Sequence, residues 1–342
     1  MNTKTLEQLD LKGKKVLVRA DLDVPIAGGN ITDVTRLETL LPTLNYICDK
    51  GAKQIILVGH MGRPQGKKVD SLSLKPLENY FRHHFTPEIC FVDYQPYDLF
   101  YQVTEEISKC DKRLVILENL RFWPQEESNN EEFAKQLAYS AEAFVNESFA
   151  ASHRSHASLV GIPKVLPSAG GRRFIKEVEN LSKVFQKPVL AIISGLKKDK
   201  LQYLEGFKKF CDKILLGGRL PEFVNEDLDD PKVLVARLNP DKEDITIHSI
   251  EKFEEEIASA GTIILAGPIG KYEDGGHKLG TERVFIAVSR SSAFKIAGGG
   301  DTLSAIHAFN IEKAFDWIST GGGAALEFLA NGTLPGIEAL RK

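Results

Sequence analysis

The chain has 342 residues, 42% of them hydrophobic and 27% charged, with a formal net charge of −3. One hydrophobic core rarely serves so long a chain, so two domains are expected, and a near-neutral chain with both signs interspersed argues against a nucleic-acid protein. There is no long uncharged apolar run, and MNTKTLEQLDLKGKK lacks the apolar core of a signal peptide, so the chain reads as cytoplasmic and without a membrane segment.

Short apolar runs alternate with amphipathic stretches from the start: KKVLVR, VTRLETLLPTLNYICDKG, KQIILVG, SLKPLENYFRHHF, ICFV, DLFYQVTEEISK and RLVILEN. Runs such as Val16 to Val18 and Ile55 to Val58 show no polar alternation, as expected of parallel strands buried on both faces. A helical segment from Asn130 to Tyr139 and a strand at Ala143 to Asn146 continue the rhythm, which then pauses. From Ala169 to Lys187, apolar residues at Phe174, Val178, Leu181 and Phe185 have helical spacing that stops at Pro188, which predicts a helix joining two domains. Alternation resumes with strands at Val189 to Ile193, Ile214 to Leu216, Val233 to Val235 and Ile263 to Ala266, and helices running to about Cys211 and from Ile250 to Ala258. The four cysteines, Cys48, Cys90, Cys110 and Cys211, have no C-x-x-C spacing and sit in or beside apolar segments, as buried free thiols do.

The last βαβα stretch, Phe294 to Leu329, carries two glycine turns: Gly298, Gly299 and Gly300 before Asp301 and Thr302, and Gly321, Gly322 and Gly323 before Ala324. Glycine lets backbone N–H groups approach a ligand, and a helix N-terminus adds unpaired donors, so both turns suit phosphate oxygens. Asp301 fits beside phosphate if Mg²⁺ lies between them.

Open parallel sheets bind ligands at the carboxyl ends of their strands. There the first half places Arg19, Asp21 and Asp23, then Arg36 near a helix start, His60 and Arg63, Arg121, and His153, Arg154 and His156. Such clustering suits a small, multiply anionic ligand. The second half adds Lys197, Lys198 and Lys200 in SGLKKDK; a lysine there could neutralise a phosphoryl group in flight, and Asp199 reads as a helix cap. A small anion in one domain and a Mg-phosphate ligand in the other describe phosphoryl transfer by positioning and charge stabilisation. No general base stands out, and none is needed if the acceptor is a carboxylate, already ionised at neutral pH.

These motifs resemble the phosphoglycerate kinase family along nearly the whole chain. VLVRADLDVP, ITDVTRLETLLPTL, GHMGRP, LENLRFWPQEESNNEEFAKQLA and ASHRSHAS carry the likeness in the first half, and GPIG, GGGDT, STGGGA and LPGIEAL in the second. The resemblance implies two doubly wound α/β domains joined by a helix, with the active site in the cleft between them. A 3-phosphoglycerate domain would span 1–168, with the tail 331–342 packing back on it, followed by a joining helix at 169–187 and a nucleotide domain at 188–330. The implied reaction transfers the acyl phosphate of 1,3-bisphosphoglycerate to MgADP, giving 3-phosphoglycerate and ATP, reversibly, in a monomer.

Carried over by position, Asp21, Asp23, Arg36, His60, Arg63, Arg121 and Arg154 would bind the glycerate, with Arg36 also stabilising the transferred group. Lys197 would follow the phosphoryl group, Lys200 would contact nucleotide phosphates, Glu273 would reach the ribose and Asp301 would hold Mg²⁺. Gly299, Gly300, Asp301 and Thr302 would bind phosphates, while Gly322 and Gly323 would donate N–H groups to the transition state.

Departures from the family pattern are concentrated on the nucleotide side. Asp23 stands where the family has asparagine, SGLKKDK is one residue shorter than the family loop with Ser194 for a glycine, and Ala266 replaces the asparagine of W-N-G-P. Several tens of residues are missing between about Pro221 and Ile250. A catalytically weakened phosphoglycerate-binding or regulatory homologue, or a kinase using another phosphoryl donor, are the alternative readings.

Overall fold

The computed structural model describes residues 3–86, 88–94, 100–183, 185–224 and 230–341. The chain divides into two compact units, one made of the residues up to Glu179 together with those from Thr333 on, the other of Asn180–Gly332. Each is a parallel α/β sheet flanked by helices.

The first unit opens with β1 (Lys15–Arg19), a short antiparallel hairpin of β2 (Ile26–Ala27) and β3 (Asn30–Ile31), α1 (Thr35–Asp49) and β4 (Gln54–Val58). It continues through α2 (Leu77–His84), β5 (Ile89–Val92), α3 (Phe100–Lys109), β6 (Leu114–Leu117), α4 (Pro124–Glu127), α5 (Glu131–Tyr139), β7 (Ala143–Asn146) and β8 (Ser168–Gly170). Asp98 and Leu99, the expected start of α3, lie outside the described residues. Sheet order is β5-β6-β4-β1-β7-β8, with every pairing parallel; Leu17 of β1 sits between Ile56 of β4 and Phe144 of β7. Because β1, β4 and β6 are buried on both faces, their continuous apolar runs are explained by helices covering each side. Val16, Val18, Leu37, Leu44, Leu57, Phe81, Ile116 and Val145 belong to one core cluster.

The expected helix over 169–187 is shorter than its periodicity suggests. Ala169 and Gly170 pair in register with Val145 and Asn146 as an edge strand, and α6 spans only Arg172–Leu181. Its start is fixed by buried Glu147, whose carboxyl oxygens accept N–H bonds from Arg173 (3.0 Å) and Phe174 (3.1 Å), donors that a helix N-terminus otherwise leaves unsatisfied. Phe185 lies beyond the helix and packs on the second unit's core beside Phe210.

The second unit runs β9 (Val189–Ile193), α7 (Leu204–Lys208), β10 (Lys213–Leu216), β11 (Val233–Val235), α8 (Ile247–Ser259), β12 (Thr262–Ala266), α9 (Leu279–Arg290), β13 (Phe294–Gly298), α10 (Gly300–Ala308), β14 (Trp317–Ser319) and α11 (Gly323–Asn331). Its order is β11-β10-β9-β12-β13-β14, again all parallel. Alternate residues of β9 face opposite layers: Leu190 and Ile192 join Phe253, Val284 and Phe285, whereas Val189, Ala191 and Ile193 join Leu204, Phe207 and Leu326. That two-sided packing is what a doubly wound sheet requires. The connection from β9 leaves for β10 on one side, and β12 returns to the other, so the topological switch lies between β9 and β12.

The chain ends in α12 (Pro335–Ala339), which belongs to the first unit. Gly336 donates its N–H to Ser152 O at 2.9 Å, and a Cβ there would stand 2.5 Å from Ser152 Oγ, so glycine is required by close approach. Among the described residues no helix is long and apolar enough to cross a membrane. All four cysteines are free; Cys211 is buried, but Cys48, Cys90 and Cys110 are half-buried, because their strand and helix ends reach the rim of the sheet.

Candidate functional site

In the first unit, the carboxyl edge of β1, β4, β6 and β7 gathers the predicted basic residues. Half-buried Arg36, in the first turn of α1, donates to Asp21 Oδ1 (3.1 Å) and to the backbone oxygen of Asp23 (2.9 Å). The Asp23 carboxylate accepts the N–H of Gly62 at 3.0 Å, and Arg121 donates to the Gly62 oxygen at 2.7 Å. The Gly62 peptide, with φ of +61° in the HMGRP turn, is therefore held at both ends, and it presents Arg63 to solvent. Exposed Arg63 and half-buried Arg154 make no side-chain hydrogen bond or ion pair among the described residues.

This edge has more cation than anion. Burial, with the charges of Arg19 and Arg154 adding, lowers Arg121 to about 10. Burial, then Arg19, Arg121, His156 and Arg36, holds His60 well below the usual histidine range, so it is neutral. Burial likewise raises Asp21, against the pull of Arg36. A guanidinium lowered by burial and by neighbouring arginines marks a partly desolvated, cation-rich place that suits an anion, which the side chains of Arg63 and Arg154 could grip bidentately.

Arg19, by contrast, is not a ligand-facing arginine. Its guanidinium is fully buried and donates from Nε to Ser158 Oγ (2.9 Å), from one terminal nitrogen to Ala20 O (2.5 Å), and from the other to His60 Nδ1 (2.9 Å). Ser158 in turn donates to buried Glu126 (2.6 Å). No spacing rule connects residues 19, 60, 126 and 158; only the sheet order brings them together.

In the second unit the switch between β9 and β12 is bridged by Lys200. Its Nζ donates to the oxygens of Ser194 and Ala266, the latter at 3.0 Å, and burial lowers its pKa while Asp301 and Asp199 oppose that shift. Lys200 thus ties two strand ends together in addition to standing within the field of Asp301. Lys197, just before the 3-10 turn Lys198–Tyr203, is exposed and unpaired among the described residues. Asp199 lies inside that turn and is no cap; the cap position belongs to Lys197, whose side chain makes no cap bond.

The two glycine turns adjoin. Gly299 (φ +112°) precedes α10 and Gly322 (φ +51°) precedes α11, and a Cβ on Gly322 would lie 3.8 Å from Gly299 Cα. Both conformations belong to glycine. The N–H groups of Gly300, Asp301, Gly322 and Gly323 have no acceptor among the described residues, while Thr302 Oγ1 bonds Gly298 O at 2.9 Å and stiffens the first turn. Asp301 is exposed and forms no ion pair among the described residues. One free carboxylate beside backbone donors fits Mg²⁺ shared with phosphate oxygens, since that ion takes few protein ligands in phosphate sites. Glu273 is exposed in the segment between β12 and α9.

Comparison with known proteins follows this geometry. The profile of the phosphoglycerate kinase family matches residues 6–227 and 231–332. A phosphoglycerate kinase of Finegoldia magna is 34% identical, with 99% of each chain covered, and one of Synechococcus elongatus is 35% identical, again with 99% of each covered. The latter alignment spans 402 positions against 342 residues here, so that relative carries segments this chain lacks. Among solved structures, the phosphoglycerate kinase of Coxiella burnetii has a TM-score of 0.80 at 27% identity, covering 99% of this chain and 98% of that one. That of Pyrococcus horikoshii has a TM-score of 0.81 at 25% identity, with the same coverage.

Proposed function

The chain belongs to the phosphoglycerate kinase family, and from that premise we propose that the two carboxyl-edge clusters carry the family's reaction here. The enzyme moves the acyl phosphate of 1,3-bisphosphoglycerate to a nucleoside diphosphate, giving 3-phosphoglycerate and a nucleoside triphosphate, reversibly, as a step of glycolysis. The observation that carries the site assignment is the pair of adjoining glycine turns with unpaired N–H groups and Asp301 beside them. A fold kept for binding alone has no physical need of that arrangement.

In this reading Arg63 and Arg154 grip the glycerate's anionic groups, Arg36 and Arg121 set the potential around them, and His60 supplies a neutral donor. Asp21 orients Arg36, and Asp23 orients the Gly62 peptide. The acceptor carboxylate is already ionised and needs no base. Lys197, unpaired and exposed, accompanies the phosphoryl group; Lys200, Gly299, Gly300, Asp301 and Thr302 hold nucleotide phosphates; Glu273 meets the ribose. Gly322 and Gly323 donate N–H groups to the equatorial oxygens as charge spreads over them. Asp301 would hold Mg²⁺ with the phosphates, and the ion, when bound, draws charge off the transferring group. We assign residues 1–168 with 331–342 to glycerate binding and 188–330 to nucleotide binding, in a cytoplasmic monomer.

The test is a coupled assay of 3-phosphoglycerate phosphorylation with a panel of Mg-nucleotides, comparing the wild type with Lys197→Ala. Turnover that collapses in the variant is expected. No turnover with any donor, alongside calorimetric binding of 3-phosphoglycerate, would favour the binding-module reading. A donor other than ATP is the second reading, and one observation favours it: in the region where the chain is short, Glu222 after β10 is paired with Arg219 (2.5 Å) and with Lys242 from the segment after β11 (3.0 Å).

A further inference from the structure

The buried path Glu126–Ser158–Arg19 that leads to His60 serves none of the roles assigned above. A guanidinium nitrogen can only donate, so the 2.9 Å contact from Arg19 to His60 Nδ1 requires that Nδ1 be unprotonated and act as the acceptor. The proton of the neutral ring then resides on Nε2. His60 is 6% exposed and makes no other hydrogen bond among the described residues, which leaves Nε2–H for a ligand.

The rest of the path explains why a buried arginine can hold that position. Ser158 Oγ accepts from Arg19 Nε and passes its own proton toward Glu126 Oε1, and Glu126 also takes the Ser158 N–H at 2.9 Å. Each polar atom in the chain has one consistent direction of donation, and the carboxylate offsets the guanidinium through a single hydroxyl. The ionisable groups facing the ring are Arg19 from β1, Arg36 from α1, Arg121 from the turn after β6, and His156 from the segment after β7. Asp21 and Asp23 lie near Arg19 on the same edge, and Glu126 stands behind it on α4. The cations next to His60 all oppose a second proton on it.

We propose that Arg19 is a positioning residue that locks His60 as the neutral Nε2–H tautomer, so that His60 recognises 3-phosphoglycerate as a hydrogen-bond donor and never as a titrating cation. The assignment of the ligand rests on the function proposed above; the assignment of the tautomer does not. The consequence is that His60 adds no charge to the substrate site through mildly acidic pH.

The test is long-range ¹⁵N–¹H correlation on the whole chain labelled at its eight histidines, with His60 assigned by the signal missing from His60→Asn. The expected spectrum shows a protonated Nε2 and a bare Nδ1, unchanged from pH 5 to pH 8, with the Nε2 signal shifting when 3-phosphoglycerate is added. A protonated Nδ1, or an imidazolium forming near pH 6.5, overturns the inference outright. A locked tautomer whose Nε2 ignores 3-phosphoglycerate overturns the ligand assignment alone, and with it the reading of this edge as the glycerate site. Arg19→Met frees Nδ1, so His60 should titrate, and KM for 3-phosphoglycerate should fall several-fold more between pH 7.5 and 5.5 than in wild type. If Arg19→Met folds and keeps the wild-type tautomer and profile, Arg19 is only structural. If it does not fold, the wild-type spectrum still decides.

Discussion

Gly322→Ala separates the two demands made on the second glycine turn. Gly322 has φ +51° and ψ −115°, a region essentially closed to residues with a Cβ. The added atom would meet only Gly299 Cα, at an ordinary 3.8 Å, so the cost is conformational and amounts to ~1–3 kcal/mol. If the turn relaxes to escape that strain, the N–H groups of residues 322 and 323 move off the phosphoryl oxygens. Losing one aligned donor of this kind lowers kcat by a factor of about 10²–10³. Gly332→Ala is the control: Gly332 ends α11 at φ +77° with nothing within 4 Å of a Cβ, so it strains the opposite end of the same helix by ~1–2 kcal/mol without touching the cradle. Thermal unfolding and initial rates at saturating substrates are measured on both variants. Both should lose stability, and only Gly322→Ala should lose kcat. If Gly322→Ala is destabilised yet keeps kcat within threefold, the turn does not stabilise the transition state, and the cradle argument fails.

Lys197→Ala should lower kcat by roughly 10²-fold with an unchanged melting temperature, because the side chain is exposed; an unchanged kcat would move the role to Lys198. Asp23→Asn keeps an oxygen for the Gly62 N–H while removing a charge whose repulsion reaches ~4 kcal/mol at 4 Å for an effective dielectric of 20. Offset by the neighbouring arginines, this should appear as a several-fold fall in KM for 3-phosphoglycerate in steady-state kinetics, and an unchanged KM would mean the free oxygen faces away from the ligand. Glu147 is pushed up to about 7 by burial, against the hydrogen bonds from Thr43, Arg173 and Phe174. The folded chain thus holds a proton that the unfolded chain releases near pH 4.5, so stability is lost as pH rises from about 4.5 to 7, by up to ~3 kcal/mol. Urea unfolding followed at Trp123 in a Trp317→Phe background should show that loss between pH 5 and pH 8 and show it flattened in Glu147→Gln; equal slopes would place the Glu147 pKa near its ordinary value.

The sheets were legible because parallel strands buried on both faces write themselves as short apolar runs, as in Ile55 to Val58 and Val189 to Ile193. The glycine turns were legible too, since positive φ at Gly299 and Gly322 leaves a mark that composition carries directly. The helix from Ala169 was over-read: its 3.6-residue spacing counted Phe185, which is apolar for a different reason, its place against Phe210. Nothing local announced that Glu147, 26 residues before Arg173, would fix where that helix begins. Arg19 looked like one more strand-end arginine, and its burial follows from partners at positions 60 and 158 that only strand order brings within reach. Lys200 was read only as a phosphate ligand, and the bonds by which it holds Ser194 and Ala266 together depend on β9 and β12 being neighbours. The pattern is physical: backbone requirements are written at the residue that meets them, while side-chain networks are written nowhere until topology closes them.

The same distinction orders the two halves of the chemistry. The phosphate cradles are built from backbone N–H groups and need only glycine and a helix start, so they persist while the loops around them shorten. The edge proposed for the glycerate is built from guanidiniums, some held by a specific partner, as Arg36 is by Asp21 and Arg121 by the Gly62 oxygen. On the proposed assignment, the shorter loops of the second unit would spare phosphate binding and alter what surrounds the base, in the region where Arg219 pairs with Glu222. The enzyme so assigned should therefore be strict toward the acid and permissive toward the nucleoside, because discrimination against wrong acids would rest on many placed charges and the hold on the donor on phosphates that all nucleotides share; a nucleotide panel giving kcat/KM values that differ by more than about a hundredfold between bases would refute it.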